Sequence, residues 1–295
     1  MQPWQIGQMA RPEPGLRVIL APNPSPMTHW GTNTFVLGEG DVAVIDPGPA
    51  SAPHMAAILA ALQPGERISH IFVTHAHLDH SPLARPLAEQ TGAPVLAFGP
   101  ATSGRSPRMA LLEGIGGGEG LDHDFAPDLI LAEGDKVANH SWQLEAVHTP
   151  GHLGGHLCFG WQDCLFTGDH VMGWAPSLVS PPDGDMTDYL QSLAQLASGR
   201  WRRGYAAHGA PITDLPGRCA ELLAHRRNRE QEILAILDKG PARLETLVEV
   251  IYADTPPALW PAARRNLLAH LVDLEHRNKI SADPALSTTA LFSHA

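Results

Sequence analysis

Residues 74–81 read Thr-His-Ala-His-Leu-Asp-His-Ser, which crowds His75, His77, Asp79 and His80 into six positions and points three imidazoles and a carboxylate at one small volume. Imidazole nitrogen with a single carboxylate suits zinc, and also iron or manganese, while the absence of thiolates argues against a closed structural zinc site. The flanks tell where such a cluster sits. Ile71, Phe72 and Val73 form a short apolar run that reads as a buried strand, and Ser81-Pro82 reads as a helix N-cap with proline at the first helical position. The cluster is therefore expected on a strand-to-helix loop, at the carboxyl edge of a sheet where α/β folds bind ligands. With 17 histidines in 295 residues, some clustering is expected by chance, and it is the ordered flanks that set this run apart.

Further motifs frame it: Asp46-Pro47-Gly48 after the apolar run 42–45, then Thr149-Pro150-Gly151-His152, Phe166-Thr167-Gly168-Asp169 and Ala207-His208-Gly209. Together with the His-x-His-x-Asp-His run, these resemble the metallo-beta-lactamase superfamily over about residues 17–214. The resemblance implies that His75, His77 and His152 hold one metal ion, that Asp79, His80 and His208 hold a second, and that Asp169 bridges both. It gives Asp79 and Asp169 a catalytic as well as a ligand role, and it implies two Zn2+ per chain, with Mn or Fe as alternatives. The activity it implies is hydrolysis. A pair of cations roughly 3.5–4 Å apart lowers the pKa of a shared water, so that a metal-bridging hydroxide is the nucleophile and no serine or cysteine is needed.

Other histidines are read more plainly. His148, His156 and His170 each lie beside a ligand motif, and one or two of them are expected to orient a ligand by hydrogen bonding from behind it. Asp46 is a candidate on the same ground, or else a turn-forming Asx residue. His29, His54, His70, His123, His140, His225, His270, His276 and His294 read as loop or helix-surface residues.

Apolar runs at 18–20, 34–37, 42–45, 71–73, 94–97, 142–146, 157–159 and 164–166 read as strands, and 54–62 and 82–90 as helices. This pattern supports a mixed α/β class. The resemblance implies the family's four-layer αββα sandwich, two sheets face to face with helices outside. Residues 114–120 read as a flexible glycine-rich loop with no Lys-Ser or Lys-Thr after it to make a phosphate loop. Residues 170–189 read as irregular, and their place after a ligand motif makes them a wall of the substrate cleft, with Trp174, Ser177 and Tyr189 as its side chains of interest.

Beyond the last ligand motif the pattern changes. Residues 217–239 place Leu222, Leu223, Arg226, Ile233, Leu234 and Leu237 at helical spacing before Gly240-Pro241; Leu244, Leu247, Val248 and Ile251 repeat it, and Trp260, Leu267, Leu271 and Leu274 make a third helix. Residues 279–282 and 289–292 could pair as a hairpin around Asp283-Pro284. Three helices and a hairpin resemble a winged helix, which divides the chain into a catalytic domain at 1–214 and a winged-helix-like domain at 215–295. That order is similar to the beta-lactamase-like protein 2 branch of the superfamily. So are the segments Gly168-Asp169-His170-Val171-Met172-Gly173-Trp174 and Pro181-Pro182-Asp183-Gly184-Asp185-Met186. The Gly-Cys-Gly-Arg pattern of hydroxyacylglutathione hydrolase is missing, and Asp169 stands where the best-known class B beta-lactamases use cysteine. Antibiotic hydrolysis is therefore not expected.

The branch resemblance implies phosphodiester cleavage of single-stranded RNA as one substrate class; a thioester, lactone or related ester of a small molecule is the alternative. A winged-helix regulator that binds DNA is a third and weaker reading. Charge weighs against nucleic acid: the net charge is -11, and beyond Leu215 the positive and negative residues cancel. Arg226, Arg227, Arg229, Arg264 and Arg265 read as solvated helix arginines. Three cysteines without CxxC spacing, Cys158, Cys164 and Cys219, read as free buried thiols. No secretory signal and no membrane-spanning run is visible, so the expectation is a cytoplasmic enzyme with no membrane partner. The apolar stripes near Leu222 and Leu267 serve equally as internal core or as a homodimer interface.

Overall fold

Strands that are apolar on both faces need cover on both faces, and the chain supplies it with a second sheet on one side and helices on the other. The computed structural model describes residues 3–295; Met1 and Gln2, the start of the segment read above for a targeting signal, lie outside the described residues. The first sheet runs in chain order as β1 (Met9–Glu13), β2 (Leu16–Leu20), β3 (Asn33–Leu37), β4 (Asp41–Ile45), β5 (Arg67–Phe72), β6 (Val95–Ala97) and β7 (Leu129–Ile130). Its first four strands pair antiparallel and the rest parallel, with α1 (Ala52–Ala60) and α2 (Ala84–Thr91) as crossovers. A short α3 (Pro107–Ala110) follows β6. The second sheet holds β8 (Lys136–Ala138), β9 (Gln143–His148), β10 (Leu157–Trp161), β11 (Cys164–Gly168) and β12 (Arg203–Ala206) in the order β12-β11-β10-β9-β8. Helices α4 (Met186–Ala197) and α5 (Leu215–Leu237) lie on its outer face.

Side-chain alternation assigns each residue to a layer. Leu16, Val18, Phe35, Leu37, Ala43 and Ile45 point between the sheets, where they meet Leu144, Ala146, Leu157, Phe159 and Phe166. Their neighbours Ile19, Val36, Val42 and Val44 point the other way and pack on Ile58 of α1 and Leu87 of α2. In the second sheet Val147, Cys158 and Leu165 face Tyr189 and Leu193 of α4 and Cys219 and Leu222 of α5. This is the four-layer αββα arrangement, and the three cysteines are buried free thiols within it.

The C-terminal unit consists of the end of α5, α6 (Leu244–Ile251), α7 (Trp260–His276) and a three-stranded sheet of β13 (Ala242–Arg243), β14 (Ile280–Asp283) and β15 (Leu291–His294). The expected hairpin is present, with Ala282 opposite Phe292. Helix α5 is shared: Leu215, Cys219 and Leu222 belong to the core under the second sheet, while Ile233 and Leu237 belong to the core of the C-terminal unit. The stripes around Leu222 and Leu267 are thus covered within the chain. Among the described residues no helix is long and apolar enough to cross a membrane.

Several expectations are corrected. Ser81 does not cap α2, which starts at Ala84 with no side-chain cap; its hydroxyl donates instead to Asp122 Oδ2 at 2.6 Å and to the His77 carbonyl at 3.1 Å, acceptors inside the loop that buries it. Residues 170–189 are not irregular throughout, because Asp185 accepts from Thr187 N at 2.9 Å and caps α4. Arg226 and Arg265 are buried rather than solvated. His54 and His270 are buried as well, His54 because its Nε2 finds the Thr34 hydroxyl at 2.8 Å.

One buried charge lies on the helix-facing side of β2. Arg17 is 2% exposed and donates to Glu66 at 2.5 and 3.2 Å and to the carbonyls of Ala61 and Gly38 at 3.0 and 2.9 Å. Burial raises the Glu66 carboxyl, and the Arg17 hydrogen bond and charge, together with backbone hydrogen bonds at Gln63 and Gly40, outweigh it and hold the group below its ordinary value. Replacing one partner strands the other, which costs about 3–5 kcal/mol for a buried pair. We expect Arg17→Met to lose stability at the lower end of that range in denaturant titration at neutral pH. Because the Glu66 pKa is depressed, the pair's contribution is present above the ordinary carboxylate range and is lost as pH falls through the lowered value. The gap between variant and wild type should therefore narrow in acid.

Candidate metal centre

Five loops converge, each leaving the carboxyl end of a strand: 46–48 after β4, 73–83 after β5, 149–155 after β9, 169–185 after β11 and 207–209 after β12. Backbone bonds sew the two sheets together at this edge. Leu157 N donates to the Thr74 carbonyl at 2.8 Å and Asn33 N to the Ala207 carbonyl at 2.7 Å, while Ala207 N, donating to the Gly168 carbonyl at 3.0 Å, extends the pairing of β11 and β12 within the second sheet. Loops from different sheets are thus fixed against each other, and all seven side chains assigned above arrive in two adjoining groups.

The first group is His75, His77 and His152. His77 Nδ1 lies 2.8 Å from His75 Nε2 and 3.1 Å from His152 Nε2. Burial lowers the pKa of all three, and that of His77 falls to about 3, so the rings are neutral and their lone pairs are free to face a common point. The second group is Asp79, His80, Asp169 and His208. His208 Nε2 stands 3.1 Å from Asp79 Oδ2 and 3.2 Å from Asp169 Oδ1; His80 Nε2 stands 3.4 and 3.5 Å from the same oxygens. The other oxygen of Asp169, Oδ2, lies 3.8 Å from His152 Nε2, so the two oxygens of one carboxylate face the two groups.

Charge differs between the groups. Burial pulls the His208 pKa down, yet the Asp169 and Asp79 carboxylates push it up to about 10, and His80 is raised well above its ordinary value by Asp79, Asp169 and Asp46. Burial would raise Asp79 and Asp169, and the His80 and His208 imidazoles hold both well below. In the metal-free chain the second group is therefore two carboxylates matched by two imidazoliums. That pairing contributes stability that is complete between the ordinary carboxylate and imidazole values, is lost as pH rises through about 10, the His208 value, and is lost in acid as pH falls through the lowered Asp79 and Asp169 values.

The ligand rings are held from behind. His152 Nδ1 donates to the Leu178 carbonyl at 2.6 Å, His208 Nδ1 to the Gly31 carbonyl at 3.1 Å and His80 Nδ1 to Asp46 Oδ2 at 3.0 Å, which leaves each Nε2 facing inward. Asp46 also accepts from Thr74 N at 2.7 Å and Thr74 Oγ1 at 2.8 Å, and it does so from a left-handed backbone with φ +49. Of the three flanking histidines, His156 accepts from Asp169 N at 3.3 Å, His148 bonds the Gly154 carbonyl and stacks on Phe98, and His170 is buried with neither ring nitrogen partnered. Gly168 must be glycine: its φ is +48, and a Cβ there would lie 2.5 Å from His156 Nε2.

Among the described residues, His80 Nε2, His208 Nε2 and Asp169 Oδ1 are buried without a hydrogen-bond partner, and in the first group His77 Nδ1 can donate to only one of the two nitrogens beside it. Unpaired polar atoms are costly in an interior. Cations that accept nitrogen and oxygen ligands fit both groups.

A cavity of about 540 Å3 opens over the pair. Its floor includes His77, Asp79, His152 and Asp169, and its walls include Met27, Met172, Trp174 and Leu178. The far wall comes from the C-terminal unit through Arg226, Arg229, Tyr252, Leu259 and Asn266, which the sequence did not single out as site residues. His225, read as a surface residue, also lines it. Trp174 does border the cleft, whereas Ser177 and Tyr189 are buried behind it.

Two outcomes follow from this geometry. Asp169→Ala, which removes the carboxylate facing both groups, should lower the content of bound divalent metal by mass spectrometry by orders of magnitude, while exposed His276→Ala leaves it unchanged. A divalent cation would have to displace protons from His80 and His208, so its affinity should climb as pH rises toward about 10. Calorimetry in buffers of differing ionisation enthalpy would register the net proton release.

Residues 27–202 match the metallo-beta-lactamase superfamily, and residues 244–285 match the beta-lactamase associated winged helix domain. The lactamase-like protein adaB of Aspergillus niger is 32% identical over 77% of this chain, and the aligned part spans 65% of the relative's length. The beta-lactamase-like protein 2 homolog of Drosophila melanogaster is 31% identical over 89% of this chain and 88% of its own. An atrochrysone carboxyl ACP thioesterase of Claviceps purpurea is 29% identical over 80% of this chain and 72% of its own. Among solved structures, a metallo-beta-lactamase family protein of Thermus thermophilus superposes with a TM-score of 0.75 at 25% identity, covering 96% of this chain and 99% of its own. The chain belongs to the metallo-beta-lactamase superfamily and carries a beta-lactamase associated winged helix domain at its C-terminal end.

Proposed function

We propose that this protein is a hydrolase working with two divalent cations, zinc the first choice, and that it cleaves thioesters or related carboxylic esters of small molecules with an apolar acyl part. The observation that carries this reading is the cleft itself: a bounded cavity of about 540 Å3 walled largely by Met27, Met172, Trp174, Leu178, Tyr252 and Leu259. Such a space suits an apolar ligand with a few polar contacts at one end. The relationship to an acyl carrier protein thioesterase supports it.

His75, His77 and His152 would hold one ion and Asp79, His80 and His208 the other, with Asp169 shared. When bound, such a pair lowers the pKa of a shared water and polarises the acyl oxygen. The chain's own residues do the remainder. The apolar walls keep bulk water from the acyl group, which strengthens every charge interaction at the floor. Asp79, whose side chain is 26% exposed, is the carboxylate of the second group that reaches the cleft floor, its Oδ2 facing His208 Nε2 at 3.1 Å. Asp169 fixes the spacing of the two groups through its two oxygens.

Cleavage of single-stranded RNA has one observation in its favour, the cations Arg226 and Arg229 in the cleft wall. Both are already engaged: Arg226 donates to the Ser177 carbonyl and to Asn266, and Arg229 pairs with Glu232 at 2.6 Å and lies over the Tyr252 ring. A strand is tracked by a line of free cations and stacking faces, and the chain's net charge is -11. The regulator reading is weaker still, since α7, the third helix of the winged unit, is buried along Leu267–Leu274 against its neighbours. A panel of acyl thioesters, lactones and RNA oligonucleotides would decide. We expect turnover of medium-chain or aromatic acyl thioesters, abolished by chelation and by Asp169→Ala, with RNA left intact. Cleavage of RNA without turnover of any ester would sink the proposal.

A further inference from the structure

Residues 177–181 form a strap between the metal centre and the C-terminal unit. On its inner side, the Leu178 carbonyl accepts from His152 Nδ1 at 2.6 Å, and the Ser177 hydroxyl donates to the main-chain carbonyls of Asp169 and, at 2.9 Å, of His170. Two ligand positions therefore rest on adjacent residues of one irregular segment, which has no ladder of its own to hold it.

Its outer side is held by three side chains of α5 and α7. Arg226 donates to the Ser177 carbonyl and, at 3.2 Å, to Asn266 Oδ1. The same Asn266 oxygen accepts from Val179 N at 3.0 Å, and Arg265 donates to Ser180 Oγ at 2.7 Å and to the Pro181 carbonyl. Leu178 is thus pinned on both sides by groups from outside the catalytic sandwich. Arg226 is only 2% exposed, and among the described residues it has no carboxylate partner. Its guanidinium lies over the Tyr189 ring, 5.2 Å from the centroid, and its hydrogen bonds go to neutral oxygens. Burying an arginine without a counter-charge is expensive. A group kept at that cost, bonded to the carbonyl beside the one that orients a ligand histidine, has a positional task.

We infer that the C-terminal unit is part of the metal centre: Arg226, Asn266 and Arg265 are positioning residues that, through the 177–181 strap, aim His152 and Asp169 at the ions. This rests on the proposed binding of two cations and adds that the sandwich alone does not orient the ligands fully. A ligand's hydrogen-bond support is worth 10–100-fold in metal affinity, and the support here comes from the winged-helix side. The linkage is reciprocal, so a bound ion must also tighten the docking of α5 and α7.

The test is zinc affinity of the full-length chain by chelator competition. Arg226→Gln and Asn266→Ala should each weaken it by about tenfold or more, Arg226→Lys should recover part of the loss, and Arg264→Gln, whose guanidinium reaches only exposed Glu245, should leave it unchanged. Ser177→Ala removes a single hydroxyl, and it is expected to weaken zinc while the metal-free chain melts as the wild type does; this separates positioning from loss of fold. Zinc added to the wild type should slow amide exchange in residues 215–237 and 260–276. Wild-type affinity in Arg226→Gln, Asn266→Ala and Ser177→Ala would overturn the clamp and leave the metal centre standing. A wild-type chain that takes up no zinc would overturn the metal centre and the clamp with it.

Discussion

Everything in this fold is subordinate to bringing seven side chains from loops of two different sheets to within a few ångströms, where their lone pairs face one another in a largely buried pocket. Such an arrangement is unfavourable unless something relieves it. In the second group His80 and His208 offset the charge of Asp79 and Asp169, yet His80 Nε2, His208 Nε2 and Asp169 Oδ1 are left without a hydrogen-bond partner. In the first group His75, His77 and His152 are held neutral by burial, and His77 Nδ1, 2.8 and 3.1 Å from its two neighbours, can donate to only one of them. A pair of cations would satisfy both groups. The sandwich is what makes the approach possible, since the backbone bonds from Leu157 to Thr74 and from Asn33 to Ala207 cross between the sheets just behind the ligands.

The convergence of these seven side chains was legible in the sequence because they fall in short, recognisable runs at strand ends that carry strong apolar signals. The central strands were legible for the same reason. β2, β3, β4, β10 and β11 are buried along nearly their whole length and read as largely apolar stretches, and β5 and β9, though partly exposed, end in the buried runs Ile71-Phe72 and Ala146-Val147. Shorter or more polar elements were not. β7 and β8 are largely exposed edge or near-edge strands, and β12 carries Arg203-Gly204-Tyr205-Ala206, in which only context makes a strand. Helix α4 was obscured by the turn-forming Pro181-Pro182-Asp183-Gly184 just ahead of its Asp185 cap. Ser81-Pro82 carried a true capping signal, yet tertiary acceptors took the hydroxyl.

What sequence could not supply was the support behind the ligands. The acceptors for His152 and His208 are the main-chain carbonyls of Leu178 and Gly31, and a carbonyl leaves no trace in residue identity. Asp46 was visible because its role falls on a side chain. Arg226 is an intermediate case. It stands on the apolar stripe of α5 between Leu222 and Ile233, where a solvated arginine does not belong, and that position was the available signal that it is buried.

The cleft separates chemistry from selection. Its floor comes from loops of the sandwich, whose residue types are dictated by coordination and leave little freedom. Its far wall comes from α5, from Tyr252 just after α6, and from the turn and helix that follow, where Leu259, Ala262 and Ala263 only need to fill space. Changes of size there would alter what fits the cleft, by an amount on the order of 1–3 kcal/mol per methylene, without disturbing the seven clustered side chains. The exception is the face of the same helices that holds the 177–181 strap. On α5, residue 226 bears on both substrate space and ligand geometry, whereas residue 229 bears on the wall alone. The C-terminal unit is therefore free to vary in one stripe and constrained in the next, and the boundary between the stripes runs through a single turn of helix.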